Sequence, residues 1–483
     1  MKLKDLPIVA MERMGEFLDS VLQALIGKNH SLEASFERPS KLISAKNKGF
    51  SVTGKKHLSV QQSRNNMVII SPSGGGKTTS VIYPSIFNIE SSMLISDPSG
   101  ELIQTKNYLL SKGFKVKVLD FGNKEHSLYY NPLRRIKNNA DVNKIAQMLV
   151  RSSSKSEGDF WSLKSTELIG LFINFLLETA PKVNQNLANV FRLLELLQAE
   201  PKDIDALFAD KAPEYLWRKY KSLMGNSENT RASIISSAQA SLSFIGNDKT
   251  LSDLTSIDTF NFDDFRREKT VVFLRCPLGD MNYYSTILSI LFEQFFSHVF
   301  NELPKQEDDD IFVLIDELSS LHLPNLSNII SNARKFKIPI LGVLQSENQL
   351  YNNYGSYNAK TILNNANVKV YFTGLTDESI HLEKTLGTYE YQDDKGIKRK
   401  RSLMTSDEIR TMSKDTILVI PSGMRPLRCK VTPYYKQQKL VGYMNMETPT
   451  EVEEIHLNFE VQYLDLSKYN DKELSSQKEN EIQ

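Results

Sequence analysis

The sequence predicts an α/β fold in which a mainly parallel central sheet is interrupted by an all-α insertion. Short apolar runs alternate with helical segments, and this rhythm is typical of β–α–β units in a parallel sheet. The first such run, Met67–Ile70, leads directly into a glycine-rich loop and then into an apolar helical segment. From about Asp141 to about Ser252 helical periodicity dominates, which indicates an inserted helical domain.

The glycine-rich loop has the pattern of a phosphate-binding loop. Because a strand precedes it and a helix follows, backbone N–H groups and the helix N-terminus can surround an anion. Lys77 is expected to reach the outer phosphates, and the Thr78 hydroxyl to bind Mg²⁺. Ser71 stands where the pattern G-x-x-x-x-G-K-[ST] opens with glycine, so the alternative is a glycine-rich turn with a chance lysine. The predicted phosphate-binding residues are Ser73, Gly74, Gly75, Gly76, Lys77, Thr78 and Thr79.

Apolar runs of strand length occur on both sides of the helical insertion. Before the insertion they are Ser92–Asp97 and Lys115–Asp120. A separate pattern, at residues 389–403 beyond the insertion, is that of a hairpin that turns at Asp393–Gly396. After the insertion the predicted sheet strands are Thr270–Arg275, Ile311–Ile315, Ile338–Leu344, Val368–Thr373 and Thr416–Ile420.

Two carboxylates and an amide follow predicted strands that are consecutive in the sequence. Asp316 and Glu317 come directly after Ile311–Ile315, and Gln345 ends the next strand. Beside a phosphate-binding loop, Asp316 is expected to hold Mg²⁺ and Glu317 to activate the attacking water as general base. Gln345 is expected to contact the γ-phosphate or that water; the alternative is a polar residue that merely caps its strand.

Arg334 lies between the acidic pair and Gln345 in the sequence. An arginine there is able to reach across a subunit boundary and neutralise charge on the neighbour's nucleotide. Lys335 and Lys337 stand beside it, so a solvated arginine on a helix face is an equally good interpretation.

The composition narrows the class of protein. A chain of 483 residues allows two or three domains, and the net charge of +1 gives no overall nucleic-acid signature, so any DNA contact must come from local basic runs or a ring of subunits. Cys276, Cys429 and the seven histidines form no metal-site spacing, which argues against a metal-dependent hydrolase. The longest apolar run, Leu168–Leu177, falls short of the ~20 residues of a spanning helix.

Both ends of the chain differ from the middle. Residues 8–26 carry an apolar helical stripe, which suits core packing or a partner helix. Docking on a membrane surface is the alternative, but the polar face is not strongly basic. The tail beyond Thr448 is acidic and is predicted to be flexible.

Four blocks between about residue 66 and about residue 435 occur together in one known family. The first two are Ser73–Thr78 with Tyr83-Pro84-Ser85, and Asp97-Pro-Ser-Gly-Glu-Leu102. The third joins Tyr130-Asn-Pro-Leu133 to Thr230–Ala238 and Leu251–Leu254. The fourth and most specific consists of Leu314–Leu318, Arg334, Gln345–Leu350, Tyr354-Gly355, Asn364-Asn365, Phe372, Gly387 and Leu403–Ile409. In these blocks the chain resembles the TraG/TraD-type coupling proteins, RecA-like motor ATPases of conjugation and type IV secretion.

The resemblance implies a RecA-like P-loop NTPase domain that binds ATP and Mg²⁺ and contains an all-α domain. Position by position, Arg334 matches the family's trans-acting arginine and Gln345 its nucleotide-sensing glutamine. Lys77, Asp316 and Glu317 match the phosphate-binding, metal-binding and catalytic positions. It also implies a homo-hexamer with nucleotide between subunits, or a monomer when substrate is absent.

The implied function is an ATP-hydrolysing DNA translocase that recruits a relaxase–DNA or protein substrate to a secretion channel. The implied partners are single-stranded DNA, relaxase and relaxosome proteins, and channel components at the inner membrane. One alternative is a substrate-docking protein whose nucleotide site only stabilises assembly. Another is an FtsK/HerA-like pump for duplex DNA.

The predicted division of the chain has five parts: 1–37, a lead-in with an amphipathic helix; 38–140 and 255–445, the nucleotide-binding domain; 141–254, the substrate-recognition domain; and 446–483, the tail. The family usually begins with a transmembrane anchor, whereas this sequence is expected to be a variant without one. We therefore expect a cytoplasmic protein, peripheral to the inner membrane, whose 8–26 helix binds a membrane protein. Ser99 also replaces a lysine of the family's Asp-Pro-Lys-Gly-Glu turn.

Overall fold

The computed structural model describes residues 33–153, 159–448 and 457–469. The predicted 8–26 helix and most of the predicted tail lie outside these residues.

A nine-stranded sheet forms the centre of the fold, in the order β11-β10-β7-β1-β6-β5-β2-β4-β3. All neighbours from β7 to β3 are parallel, whereas β10 runs antiparallel to both β7 and β11. A separate antiparallel hairpin consists of β8 and β9. The strands are β1 Met67–Ile70, β2 Ser92–Ser96, β3 Lys115–Asp120, β4 Thr270–Arg275, β5 Ile311–Ile315, β6 Ile340–Leu344, β7 Val368–Tyr371, β8 Thr388–Gln392, β9 Lys398–Ser402, β10 Thr416–Pro421 and β11 Leu427–Lys430.

The predicted mainly parallel sheet and the hairpin are therefore confirmed. One edge strand, β11, was not predicted, because it has only four residues and two of them are charged. The central strands are buried on both faces, as parallel strands between two layers of helices are. Val68 and Ile70 face the core on the side of the helical insertion, while Met67 and Ile69 face a second core on the other side.

Helices cover both faces of the sheet and build the insertion. Those of the nucleotide-binding part are α1 Val60–Ser63, α2 Tyr83–Asn88, α3 Lys106–Ser111, α11 Asp264–Arg267, α12 Met281–Val299, α13 Leu326–Asn332, α14 Asn348–Asn365, α15 Asp377–Leu386, α16 Ser406–Arg410 and α17 Gln438–Met444. Those of the insertion are α4 Asn139–Ser153, α5 Phe160–Thr179, α6 Leu187–Ala199, α7 Pro201–Lys211, α8 Glu214–Met224, α9 Glu228–Gly246 and α10 Lys249–Leu254.

An aromatic stack lies at the centre of the helical insertion. The Phe208 ring is stacked on Phe175 and Tyr220, with centroid distances of 4.2 and 4.3 Å. Helix α5 alone among the described helices has the length and composition of a membrane-spanning segment, but more than half of it is buried inside the protein. Packing within the helical domain accounts for its apolar composition.

Part of the predicted flexible tail is packed in the structure. Residues 457–469 lie along the helical domain, where Val461 N–H donates to Asp253 and Leu464 N–H donates to Asn189. The prediction of a flexible tail is therefore wrong for these residues. Composition alone missed the contacts, because they join backbone groups to side chains far away in the sequence.

We expect Gly246→Ala to lower the free energy of unfolding by about 1–3 kcal/mol, because it overpacks the end of α9. A Cβ atom at residue 246 would lie 1.9 Å from a ring carbon of the buried Phe191. Gly442→Ala is the matched control in a helix, since a Cβ there would have no neighbour within 4 Å. Urea unfolding of the two variants measures the difference; equal stabilities would contradict the close packing.

Candidate nucleotide-binding site

The parallel sheet brings together the polar residues that follow its strands. Strands β1, β2, β5 and β6 end at one edge, here called the carboxyl edge. Ser71, Asp97, Asp316 and Gln345 come directly after these four strands. The phosphate-binding loop, the acidic pair and the predicted sensing glutamine therefore lie side by side at the carboxyl edge.

Two glycines of the loop have backbone conformations that other residues rarely adopt. Gly74 has φ +73° and Gly76 has φ +86°. Gly75 is needed for a different reason, since a Cβ there would lie 2.3 Å from the Ser71 hydroxyl oxygen. The buried Ser71 side chain thus occupies space that a side chain at residue 75 would fill. This explains how the loop accommodates a serine where the motif opens with glycine.

The helix after the loop begins with a π-helical turn, Thr78–Ile82, before α2. Pro84 is the second residue of α2 and has no N–H group to donate. The Tyr83 N–H bonds to the Thr78 carbonyl, five residues back, instead of four. The wider turn lets Lys77 and Thr78 start the helix beside the loop, although a proline follows closely.

Asp316 has the character of a metal ligand. Its Oδ1 atom is buried and has no hydrogen-bond partner among the described residues. Burial raises the pKa of this carboxyl to about 7, the nearby Lys77 opposes the rise, and Glu317 and Asp97 add to it. A bound cation satisfies such an oxygen, and Mg²⁺ in nucleotide sites typically takes one or two carboxylates with phosphate oxygens. Asp316 therefore fits Mg²⁺.

Glu317 is held by two neighbouring side chains. Its Oε1 accepts a hydrogen bond from Ser319, and its Oε2 accepts one of 3.2 Å from the Gln345 amide. Gln349 fixes the start of the following helix by accepting the Gln345 N–H at 2.8 Å. The structure therefore places the predicted base and the predicted sensing glutamine in direct contact. Sequence reasoning missed Ser319 and Gln349, although both are polar residues close to the predicted site.

The segment after Glu317 is held by a kinked helix. Gly355 interrupts α14 with φ +71°, and the two residues before it point to this segment. Asn353 donates to the Ser319 carbonyl at 2.6 Å, and the Tyr354 hydroxyl donates to the Leu321 carbonyl at 2.9 Å. These contacts give a structural reason for the Tyr354-Gly355 pair that the sequence showed.

Asp97 is a further functional candidate that the motifs alone did not assign. It is fully buried, and its carboxylate accepts the Leu102 and Ile103 N–H groups at 3.1 and 2.9 Å. Burial raises the pKa of Asp97, and its negative charge adds to the acidic surroundings of Asp316. Through these hydrogen bonds Asp97 fixes the turn that contains Ser99.

Arg334 lies at the opposite edge of the sheet from the phosphate-binding loop. Residues Ala333–Phe336 form a 3₁₀ turn that precedes β6, whereas Gln345 follows that strand. The neighbouring Lys337 ammonium donates to carbonyls of the segment that precedes β5, which marks the same amino edge. Arg334 is exposed there. Within one chain the structure does not bring it to the other site residues.

Residues 26–457 match the family model described as "Type IV secretory system Conjugative DNA transfer". The chain belongs to this family. Protein VirD4 of Rhizobium radiobacter is 23% identical over 405 residues, which cover 77% of the chain and 57% of that protein. The type IV secretion system-coupling protein VirD4 of Bartonella quintana is 21% identical over 427 residues, covering 79% and 64%. The chain thus spans less than two thirds of the length of these relatives.

Solved structures of the conjugative coupling protein TrwB share the fold. A form in complex with sulphate has a TM-score of 0.66 at 18% identity and covers 83% of this chain and 93% of that chain. TrwB in complex with ADP and Mg²⁺ has a TM-score of 0.65 at 18% identity, with coverage of 83% and 94%. The predicted RecA-like P-loop NTPase fold is confirmed by these matches.

In this member of the conjugative DNA transfer family, we expect Asp316→Asn to stabilise the nucleotide-free protein at high pH. A carboxyl whose folded pKa is raised costs stability once the pH exceeds its ordinary pKa near 4, and the cost grows until the pH passes the folded value of about 7. The expected gain is about 1–3 kcal/mol at pH 8 and close to zero at pH 4. Urea unfolding at both pH values measures it.

Asp310→Asn is the matched control for this substitution. Asp310 is also buried, but it forms a two-pronged ion pair with Arg64 at 2.7 and 2.9 Å. Its substitution is expected to reduce stability, because it leaves the arginine without its partner. A loss of stability in Asp316→Asn at pH 8 would contradict the unsatisfied environment of Asp316.

Proposed function

We propose that the chain is an ATP-hydrolysing coupling protein that recruits a relaxase–DNA or protein substrate to a type IV secretion channel and translocates it. The observation that carries this proposal is the contact of Glu317 with Gln345 beside a phosphate-binding loop. A site that only binds nucleotide has no need of a held carboxylate next to the metal position.

The residues present fit ATP and Mg²⁺, which accords with the ADP and Mg²⁺ in the TrwB complex. The backbone of Ser73–Gly76 and the side chains of Lys77 and Thr79 would bind the phosphates. Thr78 and the unpartnered oxygen of Asp316 would hold Mg²⁺, which supplies positive charge to the β- and γ-phosphates when bound.

Glu317 is the proposed general base. It would accept the proton of a water molecule as that water attacks the γ-phosphate, while the Gln345 amide orients its carboxylate. Once the γ-phosphate leaves, Gln345 is free to change its hydrogen bond. The change would pass through Gln349 to the following helix, which links hydrolysis to motion.

Arg334 of a neighbouring subunit is proposed to complete the site. Its exposed position at the amino edge supports action in trans, because it is remote from the loop of its own chain. A homo-hexamer with nucleotide between subunits fits this arrangement. The helical domain, residues 141–254, is proposed as the substrate-recognition part. The whole protein is proposed to lie in the cytoplasm at the inner membrane.

Steady-state ATP hydrolysis with and without single-stranded DNA tests the proposal, with Lys77→Ala as the inactive reference. We expect DNA to stimulate wild-type turnover, and duplex DNA of the same length to stimulate it less. Loss of Lys77 should lower turnover by roughly 10² or more. Nucleotide binding without turnover, even with channel partners added, would instead indicate a docking protein whose nucleotide stabilises assembly.

A further inference from the structure

The C-terminal segment 457–469, here called the strap, lies in a groove that crosses two parts of the molecule. Tyr129 contributes from the nucleotide-binding part, and Asp253 from the helix that returns to it. Asn184 and Asn189 contribute from the helical domain. These four residues define the strap groove.

The strap groove binds backbone groups along most of the extended part of the strap. The Tyr129 hydroxyl donates to the Leu457 carbonyl and accepts the Phe459 N–H, both at 3.1 Å. Asp253 accepts the Val461 N–H at 2.9 Å. Such contacts recognise an extended chain whatever its side chains are.

Two asparagines continue the same pattern. Asn189 donates to the Gln462 carbonyl at 2.9 Å and accepts the Leu464 N–H at 2.8 Å, while Asn184 donates to the same carbonyl at 3.0 Å. Asn186 holds the Asn189 side chain through a further hydrogen bond of 3.1 Å. The groove is therefore oriented in advance for an extended polypeptide.

The two sides of this contact differ in burial. Tyr129, Asn189 and Asp253 are fully buried and Asn184 nearly so, so the atoms that bond to the strap need a replacement partner when it leaves. Asp253 also pairs with Lys124 through its other carboxylate oxygen, and Asn189 also bonds to Asn186. No residue of the strap itself is buried, and Phe459 and Tyr463 are 46% and 45% exposed. Val461, Leu464, Leu466 and Tyr469 are partly buried against the hydrophobic core, so the groove takes both an extended backbone and apolar side chains on one side of it.

Side chains add a modest preference. Lys249 pairs with Glu460 at 3.2 Å, and the Arg192 guanidinium lies over the Tyr463 ring at 5.1 Å. Phe459 packs edge-on against Tyr129. The groove thus favours a segment with an acidic residue between two aromatic ones.

We propose that the strap groove is an exchangeable peptide-binding site, in which the strap is a tethered competitor of an extended acidic and aromatic tail of a transferred protein. The role of that tail as cargo rests on the proposed function; the exchange itself does not. Because the tether keeps the strap at a high effective concentration, on the order of millimolar, an outside segment binds only when the strap is released.

The test uses the full chain with a protease site inserted between residues 449 and 456, cut after folding. The probe is a fluorescent synthetic peptide of residues 457–469, followed by fluorescence anisotropy without nucleotide or DNA. We expect the cut chain to bind the probe at least tenfold more tightly than the uncut chain, as loss of tethering predicts. A peptide of new sequence that keeps the acidic, aromatic and partly buried apolar positions should bind within about fivefold, since the backbone and those side chains carry the contact.

Two further changes distinguish recognition of the strap backbone from nonspecific binding of the probe. A probe N-methylated at Val461 cannot donate to Asp253, and Asn189→Ala in the cut chain removes two contacts to the strap. Each should weaken binding about tenfold or more, because the first leaves the buried Asp253 oxygen without its donor and the second removes two hydrogen bonds at once. Asn229→Ala, at an exposed asparagine of α9, is the control and should leave binding unchanged.

Three results would overturn the proposal. In the first, the cut strap stays bound against excess probe over many hours. In the second, its departure unfolds the helical domain. Either result shows that the strap is a permanent structural element. A full chain that dimerises and is separated by the probe shows that the groove receives the strap of a second copy. All of these binding assays use the Lys77→Ala variant, which is expected to lack ATP hydrolysis. Their results therefore do not depend on whether the wild-type protein hydrolyses ATP.

Discussion

Glu317→Gln is expected to abolish ATP turnover while leaving nucleotide binding nearly intact. The substitution keeps the size of the side chain and a partner for Gln345, but it removes the group that accepts the proton of the attacking water. General bases contribute roughly 10²–10⁴-fold, so turnover should fall by at least about 10². Steady-state hydrolysis and binding of a fluorescent ATP analogue measure the two properties separately.

Glu390→Gln is the matched control for Glu317→Gln. Glu390 is an exposed carboxylate on the β8–β9 hairpin, which is separate from the central sheet, and its loss should change turnover by less than about twofold. If Glu317→Gln retained more than a tenth of the wild-type turnover, another group would have to activate the water. Asp97 and Asp316, the other carboxylates at the carboxyl edge, are then the groups to examine.

Arg334→Ala is expected to lower turnover by about 10³ or more, the usual contribution of an arginine finger. Because Arg334 lies at the amino edge and is exposed, the loss should leave the fold and the binding of nucleotide to each chain unchanged. Lys335→Ala is the control beside it, since Lys335 has the same exposure but no assigned role.

Mixing two inactive variants separates action in trans from a structural effect. Lys77→Ala supplies an intact Arg334, and Arg334→Ala supplies an intact loop. Random mixing in equal amounts makes about a quarter of the interfaces complete, so partial activity should return in a cyclic assembly. A mixture as inactive as its components would count against a trans-acting Arg334.

The sequence predicts the features of this site that are local. A strand, three glycines and a lysine within thirteen residues predict the loop, and an apolar run before Asp316 predicts the acidic pair. The contact of Glu317 with Gln345 was not predictable in this way, because it depends on β5 and β6 being neighbours in the sheet. Strand order is set by packing of the whole domain.

The same distinction explains the remaining differences between prediction and structure. The compensation between Ser71 and Gly75 depends on the three-dimensional path of the loop and is not visible in the motif. The strap was missed because it lies within a tail that is acidic as a whole, although the strap itself is rich in apolar residues and also bonds to buried asparagines about 275 residues away. Composition reports how much apolar surface a segment can bury, and it does not report hydrogen bonds supplied by distant side chains.

The opposite placement of the phosphate-binding loop and Arg334 has a consequence for symmetry. A two-fold dimer uses the same patch on both subunits, so a single interface would have to contain both the loop and Arg334 from opposite edges of the sheet. A head-to-tail contact, in which one subunit's amino edge meets the next subunit's carboxyl edge, joins the two without that requirement. Such a contact repeats around a ring if its rotation closes, and along an open filament if it does not. The angle between adjacent subunits therefore decides whether every site in the assembly is complete or one end always lacks its partner.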